Sequence, residues 1–402
     1  MKIIYIANAR IPTEKAHGIQ IMKMCEAFAD AGSDIKLIVP RRLNSLKENP
    51  FKYYGVKENF KIIRLPTLDL VKFGKIGFWI QSISFSKFVT IYCLFKKVDI
   101  IYSRDELPLW FLSFFKKNLV LEIHVAKKNF ISKRVFKKVK IIVAITKGLQ
   151  QFYTKEYGTN TNKIHWSPDA VDLEEFKSTS ISQEDLRKQY NLPIDKKIIG
   201  WIGKLKTMGE GKGAEKLIKA FPQIFKSNQD SFLMIVGTNL PENNEIQDFF
   251  KKSEIGVNSY KIINHVSRNE VINYLKMSDL LIMNYPDTEH YAHYMSPMKL
   301  FEYMASGNPI VASDLPSIRE ILNEKNAILV EPDNTEVLAE GINKVLTDKS
   351  FSEKIARQAL IDVQNYTWKK RVKNILDFIR YNKKDKDLSV NLAKNARINI
   401  EN

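Results

Sequence analysis

One pattern recurs twice along this chain and restricts what it can fold into: a short apolar strand, a stretch with helical spacing, then another apolar strand. In the first half the strands read as Lys2 to Ile6, Asp34 to Val39, Lys61 to Leu65, Ile100 to Tyr102, Leu119 to Ile123 and Lys140 to Ala144. Near-continuous apolar strands joined by crossover helices predict a parallel sheet covered on both faces. After Trp166 a polar segment, SPDAVDLEEFKSTSISQEDL, interrupts the alternation, which resumes with Lys197 to Ile202, Phe232 to Val236, Tyr260 to Ile263, Leu280 to Met283, Pro309 to Ala312 and Ala327 to Val330. The expectation is an α/β protein of two doubly wound domains, 1–170 and 171–350. Helices over 351–381, with an apolar stripe of Trp368, Val372, Ile375, Leu376 and Ile379, should pack back toward the first domain, and 382–402 is a polar tail.

Composition excludes several classes. A chain of 402 residues with 23 Phe and 16 Tyr is neither a stapled miniature scaffold nor disordered. Cys25 and Cys93 are far apart and form no CxxC pair, so they read as free core thiols in a reducing compartment. The amino terminus has no signal-peptide pattern. Phe78 to Phe95 has the length of a membrane span, but Gln81, Lys87 and several Ser and Thr residues favour a helix buried inside a domain. Residues 1–170 carry 30 Lys or Arg against 13 Asp or Glu, a net of +17, whereas the remainder nets +1. Such an excess suits nucleic acid, anionic lipid or a phosphorylated substrate.

In doubly wound domains ligands sit beyond the carboxyl ends of the strands, so the residues just after strands are the candidates. His17 and Gly18 open the first helix, where a bare backbone can approach a phosphate. Glu122 and His124, two apart at a strand exit, point the same way; the alternative is a structural His satisfied by its own Glu. Gly203, Lys204, Lys212 and Gly213 frame a glycine-rich loop running into a helix, an anion site whose Ala214 does not fit the magnesium-binding phosphate loop. Ser296 and Pro297 read as cap and first-turn residues of a helix from Met298 to Ser306 that Gly307 stops. On it Lys299 and Glu302 share a face, either as binding residues or as a salt bridge.

Taken together, the tandem domains, His124, the Gly203, Lys204 and Lys212 group and above all SPMKLFEYMASGNPIVAS resemble the retaining glycosyltransferases of family 4, which have the GT-B fold. The resemblance covers residues 1 to about 380. It implies two Rossmann-like domains facing a cleft, an acceptor-side first domain and a second that binds a nucleotide diphosphate sugar. By matching position it implies Glu302 for the ribose, the backbone stretch of Ser296, Pro297, Met298 and Lys299 for the diphosphate, Lys204 and Lys212 for the leaving charge, Gly18 approaching it, His124 for the sugar and Val266 for the base. Where the family often has a carboxylate, this chain has Tyr294, so Asp287 and Glu289 are further candidates for the sugar. Lys204 stands where Arg is more usual and cannot make its bidentate fork. Asp169-Ala170-Val171-Asp172 replaces the family's common Asn-Gly-Val-Asp.

The resemblance further implies retention of configuration, no cofactor and no metal, since D-x-D occurs only at Asp385 to Asp387 in the tail. The expected partners are a nucleotide-sugar donor and a glycan or lipid-linked acceptor of cell-surface polysaccharide assembly. The expected location is the cytoplasm, peripheral at an anionic membrane face through lysine pairs such as Lys127-Lys128 and Lys137-Lys138, with Phe130, Ile131 and Phe136 inserting. The rival readings are another GT-B enzyme, such as a nucleotide-sugar epimerase or a phosphorylase, and a basic nucleic-acid-binding protein.

Overall fold

The computed structural model describes residues 1–177, 181–207 and 209–382; Asp385 to Asp387 and most of the polar tail lie outside them. The chain divides into two units, Met1–Asp169 with the segment from Trp368 onward, and Ala170–Thr367. The return to the first unit comes later than the sequence suggests. The helix Lys349–Asp362 buries Ile355, Ala356 and Ala359 within the second unit, against the helices Thr335–Thr347 and Met298–Ser306. Only the helical stretch 368–382 rejoins the first, burying the expected stripe of Trp368, Val372, Ile375, Leu376 and Ile379.

The first unit is built on seven strands: β1 (Lys2–Ile6), β2 (Asp34–Pro40), β3 (Lys61–Leu65), β4 (Ile100–Ser103), β5 (Leu119–Ile123), β6 (Ile141–Ala144) and β7 (Ile164–Trp166). They pair in the order β3-β2-β1-β4-β5-β6-β7, all parallel. β7 escaped the sequence reading because its three residues include His165, with polar neighbours on both sides. Ile4, Ile6, Leu121 and Val143 are fully buried, as parallel strands covered on two faces require. Strand order reverses about β1, which places the first unit's crevice at the carboxyl ends of β1 and β4.

The second unit's sheet comprises β8 (Lys197–Ile202), β11 (Ser231–Thr238), β12 (Tyr260–Asn264), β13 (Leu280–Met283), β14 (Ile310–Ser313) and β15 (Ile328–Val330). A small antiparallel hairpin, β9 (Lys206–Thr207) and β10 (Glu210–Gly211), occupies the glycine-rich loop that the sequence left without structure. The order β12-β11-β8-β13-β14-β15 is parallel throughout and reverses at β8 and β13. Trp201, Phe221, Leu233, Phe250 and Leu280 lie in one core cluster.

Two expectations about buried residues fail. The helix spanning Phe78 to Phe95 exists, as Gly74–Leu94, but much of its apolar surface is exposed. Phe136, read as an inserting residue, is 1% exposed and stacks on Tyr153. Cys25 and Cys93 are buried free thiols.

Candidate functional site

In the second unit the site is assembled where β8 and β13 end. β8 carries the buried Trp201 and then turns at Gly203, whose φ of +144° disfavours any side chain. Gly213 is more tightly required. At φ +89° it forms the N-cap of the helix Ala214–Ser227, and a Cβ there would stand 1.7 Å from the Asn284 carbonyl oxygen. Asn284, just after β13, also donates from Nδ2 to the Gly213 carbonyl at 2.6 Å. These contacts hold the helix start against the strand exit and carry Lys212 beside it.

Three lysine amines meet here, all of them among the candidates. Lys204 is exposed; Lys212 is half-buried, its amine lowered in pKa by burial and by Lys204. The third is the side chain of Lys299, for which the alternative expectation is a salt bridge to Glu302. Its ammonium stands 3.9 Å above the Trp201 ring centroid, 5.4 Å from that of Tyr303 and 5.7 Å from that of Tyr285. Burial, then repulsion from Lys212, push the Lys299 amine well below its ordinary value, with Glu302 opposing. None of the three is ion-paired among the described residues. Aromatic faces soften the cost of the unpaired cation.

The helix Met298–Ser306 begins as expected and ends on Gly307 in the left-handed region. Its start differs, however. Pro297 occupies the N-cap position in extended conformation, where its side chain offers no capping acceptor, so Ser296 stands one residue before the cap. The first amides of a helix point outward from its start and suit an anion. Glu302 is 9% exposed and does not pair with Lys299. Its Oε1 accepts from Arg268, which also reaches Glu175 at 3.0 Å, while Oε2 takes no hydrogen bond among the described residues. Arg268 starts a helix capped by Ser267 and Glu270, two residues after the half-buried Val266. Ahead of Met298–Ser306 runs a π-helical turn, His290–Tyr294, in which the Tyr294 hydroxyl donates to Glu289 at 3.0 Å. Asp287 and Glu289 are both exposed.

In the first unit, Glu122 and His124 do meet, inside a buried network the sequence did not disclose. Glu122 is fully buried and accepts from Gln20 Nε2 at 2.6 Å, from the Tyr102 hydroxyl, and from Arg371 at 3.3 Å. Arg371, 4% exposed, also donates to the carbonyls of Pro168 at 2.7 Å and Ser167 at 3.2 Å. Burial alone would raise the Glu122 carboxyl; Arg371 and the bond from His124 outweigh it and hold the group well below the usual range. His124 Nε2 lies 2.6 Å from Glu122 Oε1. Burial, then Arg104, push the imidazole down to about 4, so it is neutral near pH 7. A carboxylate can only accept, which assigns the proton to Nε2 and leaves Nδ1 as an acceptor. Gly18 lies in the first turn of Ala16–Asp30, and a Cβ there would meet the Tyr54 hydroxyl at 2.2 Å, a packing reason for this glycine.

Residues 182–362 match the model of the family described as glycosyl transferases group 1. An uncharacterized glycosyltransferase of Methanocaldococcus jannaschii is 26% identical over 237 residues, 56% of each chain. A putative teichuronic acid biosynthesis glycosyltransferase of Bacillus subtilis is 22% identical over 242 residues, 60% of this chain and 56% of that one. The chain thus spans just over half the length of these curated relatives. Among solved structures, a glycosyltransferase from Rickettsia africae superposes with a TM-score of 0.74 at 18% identity, covering 95% of this chain and 98% of that one. The Anabaena protein HepE, crystallised with UDP and glucose, gives 0.71 at 16%, covering 95% and 100%.

Proposed function

We propose that this chain, whose residues 182–362 match the glycosyl transferases group 1 family, moves a sugar from a nucleotide diphosphate donor to a glycan or lipid-linked acceptor with retention of configuration. The observation that carries this reading is the set of Lys204, Lys212 and Lys299, amines without counter-ions among the described residues, beside the start of the helix Met298–Ser306 at the carboxyl end of the sheet. Cleaving a glycosyl phosphate builds negative charge on the departing diphosphate, and fixed cations aimed at it give the main stabilisation. In this role the lysines supply what a metal would, and the reaction needs no metal or cofactor. HepE, holding UDP on a similar fold, is in keeping with a nucleotide donor.

The remaining assignments follow the same reading. The free Oε2 of Glu302 takes a ribose hydroxyl while Arg268 fixes the carboxylate; the Val266 backbone meets the base; Asp287, Glu289 and Tyr294 are the nearby groups for the sugar. His124, neutral, accepts a sugar hydroxyl at Nδ1, and Gly18 belongs to the phosphate approach. The departing phosphate takes the acceptor proton on the face it leaves, which gives retention. The work is done in the cytoplasm, at the membrane face, in cell-surface polysaccharide assembly. The test is mass detection of released nucleoside diphosphate across a donor panel, with and without acceptor, in chelator, with the product anomer read by NMR. Acceptor-independent conversion to an epimeric sugar, or activity abolished by chelator and restored by manganese, would overturn the reading.

A further inference from the structure

The helix Gly74–Leu94 is apolar on the side it turns outward. Its buried face is mixed: Phe85, Val89 and Cys93 are fully buried there, but so are polar groups, with Gln81 Nε2 donating to Asn8 Oδ1 at 2.9 Å, Asn8 Nδ2 donating to Ser82 Oγ at 2.9 Å, and Ser86 and Thr90 beneath. Its outer face is apolar, with Ile76 at 75% exposure, Trp79 at 51% and Ile91 at 55%, joined by Ile80, Ile83 and Phe88. Soluble monomers rarely show a contiguous apolar patch of this extent without a partner for it. The bonds to Asn8, two residues beyond β1, fix the rotation of the helix, so the apolar face cannot turn inward without breaking them. The patch continues on Phe114 and Phe115, in the turn after the helix Glu106–Leu112 that packs on it.

The charge around this face selects its occupant. No Asp or Glu lies between Asp69 and Asp99, whereas Lys72, Lys75, Lys87, Lys96 and Lys97 are all exposed. An apolar stripe flanked by lysines, on a helix that itself carries no acidic residue, suits the interface of an anionic bilayer. Trp79 is the residue type that settles at headgroup level. No helix among the described residues is long and apolar enough to cross a membrane, so this one would lie along the surface.

We propose that the outer face of Gly74–Leu94 is the surface by which this protein docks on anionic lipid, with Trp79, Ile83 and Ile91 entering the headgroup boundary and the flanking lysines contacting phosphates. It relocates the apolar contact from Phe130, Ile131 and Phe136, the last being core. Because Asn8 and Ser82 tie the helix to the end of β1, the docked helix lies beside the first unit's crevice with its apolar face turned away from it. The proposal rests on the transferase reading only for what the membrane would carry, a lipid-linked acceptor.

The test uses the full chain and vesicles holding neither donor nor acceptor, so that binding can succeed while transfer fails, and the reverse. Sedimentation with phosphatidylglycerol–phosphatidylcholine vesicles should retain the protein at about 50 mM salt and release most of it at about 500 mM, with little retained by phosphatidylcholine alone. The variant Trp79→Ser/Ile83→Ser/Ile91→Ser, changed only at exposed positions, should melt like the parent and bind on the order of tenfold more weakly. Lipids brominated in the acyl chain should quench the parent's fluorescence and leave Trp79→Phe nearly unquenched. Equal recovery in the supernatant with both vesicle types would overturn the proposal. So would undiminished binding by the triple variant, or light scattering that shows a dimer which the triple variant dissolves.

Discussion

Replacing Arg371 with methionine isolates the interaction that ties the helical stretch 368–382 to the first sheet. The substitution keeps the volume and removes the charge facing Glu122, which is fully buried and keeps only its bonds from Gln20, Tyr102 and His124. It also strips donors from the carbonyls of Ser167 and Pro168. Removing one member of a buried ion pair typically costs about 3 to 5 kcal/mol, because the other is left as an uncompensated charge. At about 1.4 kcal/mol per decade this lowers hydrogen-exchange protection by roughly two to three and a half decades. Since a chain of two units need not unfold in one step, exchange should be followed separately in β5 and in β13. We expect the loss in β5 and little change in β13. Adding Glu122→Gln to Arg371→Met should recover most of the protection, since a neutral amide is far cheaper to bury than a bare carboxylate. A loss below about 1 kcal/mol, or a double variant that merely sums the two single losses, would refute the argument that Arg371 neutralises Glu122.

Three further outcomes follow. Lys299→Met should weaken nucleoside diphosphate binding at least about tenfold while leaving the melting temperature unchanged or raised, since it removes an unpaired, partly desolvated cation; calorimetry reads the first and thermal melting the second. Glu302→Ala should weaken the same ligand by roughly 1.5 to 3 kcal/mol, with Glu302→Gln, which still accepts from Arg268, as the control for folding. Acid should destabilise the first unit: burial pushes His17, His124 and His165 down to about 4 from an ordinary 6.5. The unfolded chain therefore takes up these protons first, and stability contributed by the neutral imidazoles is lost as pH falls from about 6.5 toward about 4, a trend that urea melts at stepped pH would detect.

How far the site could be read from residues alone depended on whether the signal was local. The helix Met298–Ser306 and its Gly307 stop were legible because capping and termination are decided within a few residues. The partner of Glu302 was not, because Arg268 lies 34 positions away and a three-residue spacing to Lys299 suggested a local pair instead. Arg371 did leave a trace. Counting from Trp368 by three and four gives 371, 372, 375, 376 and 379, and all but the first are apolar. An arginine in a core register requires a buried acceptor, and the candidates include any carboxylate ending an apolar strand, such as Glu122.

The helix Gly74–Leu94 shows where periodicity itself misleads. A segment mixing apolar residues with Gln81, Ser82, Ser86 and Thr90 has two faces, and the usual inference buries the apolar one. That inference assumes that water covers the other side and that the polar groups gain nothing from being inside. Here Asn8, two residues beyond β1, and Thr67 offer partners to Gln81 Nε2, Ser82 and Ser84, while Gln81 Oε1 is buried without one among the described residues. Ser86 and Thr90 bond back to carbonyls of their own helix. The penalty for burying these groups is therefore partly offset, and Phe85, Val89 and Cys93 add apolar burial on the same side. The apolar face then needs a solvent other than water. Sequence could reveal that the segment is two-faced and free of acidic residues; only the position of Asn8 determines which face is turned outward.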